Sequence, residues 1–333
     1  MSAYIQALRA DPKWITILVA LTIGYNAYQM VPISNEENYP DYYEFVLFYS
    51  SHCSLTDLHL DNGALHRAPL KYYFHCVGYK LFDNTRVIPI IFNIGIMPLV
   101  YILARKITND NLIAFVSLVA FTLNPIWIAW RDSATYDQSW AFFLLLSVIL
   151  SFKSRTSLIS TFVFLISIAC KSVSVLYVPL WAYMVIKADY TPRYKIIALG
   201  LMGLIMGIGA YYVVPHMTEF VGNQVYFRPE RLEDALVGNL GALWEITPFM
   251  LGVVGINTMF RPKKMPHGRK TVGLWMVGIL MMTPAVYLFT DHMEYTYRFI
   301  PFVGFLSILV GLTASQLLGW IQEVIIARPI KIH

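Results

Sequence analysis

The residues able to do chemistry in this 333-residue chain gather in a few short stretches. The longest runs from Ser34 to Arg86 and crowds Glu36, Glu37, Asp41, Glu44, Asp57, Asp61 and Asp83 together with Arg67, Lys71 and Lys80. Three shorter ones follow: Arg131 to Asp137, Lys171 in a small-residue break, and Tyr295 to Pro301 with Arg298. Carboxylates mixed with fixed cations suit a group transfer: an acid takes a proton from the attacking hydroxyl or amine, and cations hold an anionic leaving group. Partial burial and neighbouring arginine can tune such a carboxylate, and a guanidinium fork matches phosphate oxygens.

The elements that must position these groups are membrane helices. Hydrophobic residues make up 57% of the chain and charged residues 14%, with mean hydropathy +0.55, which excludes an ordinary soluble domain. The formal charge of +5 is therefore no nucleic-acid signal; what matters is the side of the membrane on which each charge sits. About ten apolar segments are long enough, or nearly so, to span a bilayer. They are 13–33, 87–104, 112–130, 139–152, 157–170, 173–186, 194–214, 238–260, 271–290 and 299–320. The fold class expected is an all-α polytopic bundle forming a single transmembrane domain over 1–333, with a structured extracytoplasmic loop at 34–86 and no C-terminal soluble domain.

The charges test this count. With the N-terminus in the cytoplasm, basic clusters recur at each inner turn: Arg105 with Lys106, Lys153 with Arg155, Lys187 to Lys195, and Arg261 to Lys270, as the positive-inside rule requires. Reading 157–186 as one span would move Arg261 to Lys270 outside, so a break belongs at Lys171. Both termini then lie in the cytoplasm of a multi-pass protein of the cell membrane, or of the endoplasmic reticulum in a eukaryote. Segment 13–33 contains Asn26 and Gln29 and runs into Ser34 without a small-residue cleavage site, so it reads as a retained helix. Gly203 and Gly207 form a small-x-x-x-small pair that suggests close helix packing.

Each charged residue also has a plainer reading. Glu36, Glu37 and Asp41 can be solvated loop charges, Arg67 and Lys171 snorkelling cations, and Arg298 an interfacial anchor. Asp132 reads as a turn residue and Asp137 as a helix cap. As a cap, Asp137→Asn would be nearly neutral; in a site, it would cost turnover with folding unaltered. Cys53 and Cys76 share the outer loop, which leaves a disulfide open, and Cys170 reads as a small buried residue. The pattern His292-Met293-Glu294 is weak for a metal. CxxC, HExxH, P-loop and dinucleotide glycine patterns do not occur.

In order and spacing, the polar motifs resemble those of the GT-C glycosyltransferases, specifically the PMT-like and ArnT-like enzymes that move a sugar from a polyprenyl-phosphate carrier. That family shows an outer-loop D-E pair, then K-P-P-L with aromatics, an Arg opening the second span, R-x-A-x-x-D before an aromatic helix, a Lys after small residues, and R-Y/F-x-x-P opening a late helix. Here Asn35-Glu36-Glu37 stands at the D-E position, with Asp41 as the alternative counterpart, and Arg67-Ala68-Pro69-Leu70 at K-P-P-L. Arg86, Arg131 to Asp137, Lys171 and Arg298-Phe299-Ile300-Pro301 follow. The resemblance covers the first six spans and, more weakly, the last; Lys is replaced by Arg67 and the first Pro by Ala68.

The resemblance implies transfer from a polyprenyl-phosphate-linked sugar to a lipid, glycan or protein acceptor at the extracytoplasmic face. Glu36, Glu37 or Asp41 is then the base, and Arg67, Arg298 and Lys171 hold the donor phosphate. Asp137 would orient the acceptor, position Arg67 or join the first-loop acids around a divalent metal; no other cofactor is implied. Two alternatives stay open: a non-catalytic subunit of a larger membrane complex, and a polytopic transporter or flippase. A transporter should show charged or glycine-broken helices near the midplane, whereas the polar motifs here fall at helix ends.

Overall fold

The computed structural model describes residues 12–31, 47, 50, 52–53, 69–135, 137–188, 190–213 and 300–327. All regular structure among them is helical. Helix α1 is Pro12–Gln29, α2 is Pro69–Phe82 and α3 is Val87–Thr108. Then come α4 (Asn111–Thr122), α5 (Pro125–Trp130), α6 (Asp137–Leu150) and α7 (Ser157–Cys170). A 3-10 segment at Ser172–Tyr177 leads into α8 (Val178–Lys187), followed by α9 (Pro192–Val213) and α10 (Ile300–Ala327).

Sequence chemistry sets the breaks that hydropathy blurs. The expected span 112–130 is two helices, because Pro125 disfavours a helical residue before it. Asn124 turns extended there, and its side chain accepts from the amides of Ile126 (3.0 Å) and Trp127 (3.4 Å). Between α3 and α4 the chain reverses through Asn109 in the left-handed region (φ 56°). Asp110 then caps α4 by accepting from Leu112 N at 2.8 Å. The expected break at Lys171 is present: its backbone is extended (φ −152°, ψ 108°), and Ser174 fastens it by donating Oγ to the Lys171 carbonyl at 2.6 Å. The span expected at 173–186 is thus a 3-10 segment and a ten-residue helix.

Among the described residues, two helices are long and apolar enough to cross a membrane, Val87–Thr108 and Pro192–Gly209; Asn111–Thr122, Asp137–Leu150, Ser157–Cys170 and Phe302–Leu318 are apolar but shorter. The expected spans 238–260 and 271–290 lie outside the described residues.

The core forms where α3, α4, α6 and α10 pack on one another, with α7 laid against α6. Phe74 joins α2 to it, 4.9 Å from Phe92 and 6.0 Å from Phe143 between ring centres. Helix α2 folds back on the residues after it: His75 donates Nδ1 to the Thr85 carbonyl at 3.2 Å. A Cβ at Gly78 would sit 2.9 Å from the Asn84 carbonyl. Cys53 and Cys76 form a disulfide that ties the preceding loop to α2, and Cys170 is free and buried. At Gly203 and Gly207, where close packing is expected, a Cβ meets nothing within 4 Å among the described residues. Gly311 on α10 is tight, since a Cβ there would meet Ser117 Oγ and lie 3.0 Å from the Ile113 carbonyl on α4.

Candidate active site

The polar motifs converge at one end of the bundle. Helices α3, α6 and α10 begin there, while α1, α5 and α7 end there, so chain direction alone brings Arg86, Arg131, Asp137 and Lys171 to one level. Three contacts confirm the meeting. Arg86 donates Nε to the Asp132 carbonyl at 2.6 Å and approaches its carboxylate at 3.6 Å; Arg131 reaches Asn26 on α1 at 3.4 Å; Lys171 pairs with Asp137.

Asp137 is the first residue of α6, where the helix N-terminus favours negative charge. It is fully buried. Its Oδ1 accepts from Lys171 Nζ, and its Oδ2, also buried, has no hydrogen-bond partner among the described residues. The Lys171 side chain is 16% exposed, and its ammonium lies 5.1 Å from the centre of the Trp140 ring, one helical turn along α6. A lysine in an apolar wall is thereby held as a fixed cation between a carboxylate and an aromatic face.

The same aromatic ring draws in the last helix. Trp140 meets Phe302 edge-on at 5.6 Å and Tyr177 at 6.4 Å. Arg298 itself lies outside the described residues, but Phe302 stands four positions after it at the start of α10. Arg86 pairs with Asp132 and Lys171 with Asp137. Arg131 lies over Trp127 at 5.6 Å.

Of the residues singled out from sequence, the structure joins Asp137 and Lys171. Glu36, Glu37, Asp41, Arg67 and Arg298 fall outside the described residues, and so does any metal site they would build. Among the described residues, no three His, Cys, Asp or Glu side chains gather as a metal site. Asp132, read as a simple turn residue, is an ion-pair partner. Two buried amides were not among the sequence candidates: Asn93, inside α3, and Gln138, beside Asp137. A lone amide within a hydrophobic span is the signal by which Asn93 could have been found, because such groups are costly there.

No protein-family model matches the chain. An uncharacterized protein of Aquifex aeolicus (strain VF5) is 29% identical over 166 residues, 49% of this chain and 32% of that protein. The fold is similar to that of ArnT from Cupriavidus metallidurans, solved bound to undecaprenyl phosphate (TM-score 0.62, 14% identity, 94% of this chain and 62% of that one). It is also similar to AglB, the archaeal oligosaccharyltransferase from Archaeoglobus fulgidus, solved with an inhibitory peptide and a dolichol-phosphate (TM-score 0.56, 13% identity, 96% and 52%). The chain spans about a third of the Aquifex protein and under two thirds of either solved enzyme. Both solved proteins are GT-C glycosyltransferases, and the chain has their fold.

Proposed function

We propose that this chain with a GT-C fold is a glycosyltransferase that moves a sugar from a polyprenyl-phosphate carrier to a lipid, glycan or protein acceptor at the extracytoplasmic membrane face. The observation that carries the reading is the buried Lys171–Asp137 pair on the Trp140 face, at the end of a fold shared with enzymes solved bound to carrier-lipid phosphates. In the reaction the acceptor oxygen or nitrogen bonds to the sugar's anomeric carbon as the bond from that carbon to the phosphate oxygen breaks. The acceptor's proton passes to a first-loop carboxylate, Glu36, Glu37 or Asp41, and the departing polyprenyl phosphate keeps the electron pair. Lys171, Arg67 and Arg298 hold that anion. Asp137 takes the role of fixing the Lys171 ammonium, since its pairing oxygen is already committed.

The disulfide supports the outer-face assignment. Cys76 neighbours His75, which bonds the Thr85 carbonyl beside Arg86, so the bridge and the site share one end. Disulfides persist in oxidising compartments. The reading retains a single membrane domain with both termini in the cytoplasm.

The test is sugar release from a panel of polyprenyl-phosphate-linked sugars by the purified protein in nanodiscs. Wild type should cleave at least one donor, and Lys171→Met should lose most of that turnover. Carrier binding without cleavage would favour a non-catalytic subunit, and carrier movement across the bilayer without cleavage would favour a flippase.

A further inference from the structure

The turn that delivers Asp137 is held in an unusual way. Its four successive carbonyls each accept a hydrogen bond from a side chain. Gln138 Nε2 donates to Trp130 O (3.2 Å) and Ser133 O (3.1 Å), Asn93 Nδ2 donates to Arg131 O (2.5 Å), and Arg86 Nε donates to Asp132 O (2.6 Å). Gln138 is fixed in turn by the Thr135 hydroxyl, which donates to its Oε1. Asn93 and Gln138 are fully buried, and Asn93 Oδ1 has no hydrogen-bond partner among the described residues.

A buried amide with an unused acceptor is costly in an apolar helix. Leucine at 93 would remove the unused acceptor but leave the Arg131 carbonyl without its donor. What the amide does is fix the Arg131 carbonyl, and with it the path of the chain into Asp137. We infer that Asn93 and Gln138 are positioning residues: they lock the turn from Trp130 to Ser133, so that Asp137 meets Lys171 and the lysine ammonium is presented to the carrier phosphate. The last clause rests on the functional reading above; the locking of the turn does not.

The experiment compares wild type with Asn93→Leu and, as a second variant of near-equal shape, Gln138→Met, all as full chains in nanodiscs. Three quantities are read: melting temperature, deuterium exchange at the amides of the turn including Ser133, and binding of undecaprenyl phosphate. Asn93→Leu should exchange faster in the turn and bind undecaprenyl phosphate about tenfold more weakly, the fold-change of one lost charge-assisted contact. Gln138→Met should show the same faster exchange and weaker binding. Wild-type exchange in both variants overturns the locking of the turn. Faster exchange with wild-type binding, or a lowered melting temperature with wild-type binding, overturns the positioning role. Failure of the wild-type protein to bind undecaprenyl phosphate overturns the functional reading instead, and exchange then decides the locking alone.

Discussion

At the residue scale the account rests on one ion pair. Asp137 was legible as a site candidate because it closes an outer turn ahead of an aromatic helix, and Lys171 because it breaks a small-residue run, but their pairing across 34 positions was not. Hydropathy shows where a helix runs and says nothing about which polar end meets which. The pairing changes what substitution should do. From sequence, Asp137→Asn in a site was expected to leave folding unaltered; with the carboxylate buried against Lys171, the change leaves a largely buried ammonium without its counter-charge. The expected loss of stability is about 3 kcal/mol, the low end for breaking a buried pair. Removing both charges in Asp137→Leu with Lys171→Met should recover most of it, since an apolar pair of similar volume is often as stable. Thermal melts of the two single variants and the double variant check this: additive losses would show that the two side chains do not interact.

At the element scale, breaks proved harder to read than helices. The Asn124–Pro125 break carries a clear local signal, proline preceded by a capping residue, yet a continuous apolar window concealed it. The Lys171 break was legible because charge bookkeeping across distant loops demanded it. Gly203 and Gly207 have the packing spacing but face no neighbour among the described residues, whereas Gly311 packs against α4. Spacing on one helix cannot reveal what lies on another. Gly311→Ala should displace the Ser117 hydroxyl from its 2.8 Å bond to the Ile113 carbonyl and destabilise by about 1–3 kcal/mol, as overpacking does. Gly203→Ala should be neutral to slightly stabilising, because alanine favours the helix, and melts of the two variants give the comparison. The bridge between Cys53 and Cys76 closes 23 residues of sequence. Replacing both by serine should cost about 3 kcal/mol, and an unchanged melt would show that the loop is held by other contacts.

At the scale of the whole molecule, composition and charge placement point to a helical membrane bundle, and the fold comparison agrees with the motif order. Alternation of chain direction accounts for the convergence: Arg86, the turn from Arg131 to Asp137, and Lys171 sit where helices start or stop at one end. The side of the membrane follows from a labelling experiment. The native free thiol, Cys170, is buried, so background is low. Single cysteines at Asp61 and Asp132 should react with an impermeant thiol reagent added outside, and one at Gly268 should not; outside labelling at 268 would invert the arrangement. The central claim, that Lys171 receives the carrier's phosphate, is tested most directly by titrating undecaprenyl phosphate into nanodiscs bearing wild type, Lys171→Met or Lys106→Met. Lys106 lies in the last turn of α3, at the other end of the bundle. Wild type and Lys106→Met should bind alike and Lys171→Met about tenfold more weakly, a difference of about 1.4 kcal/mol; equal binding by all three would contradict the account.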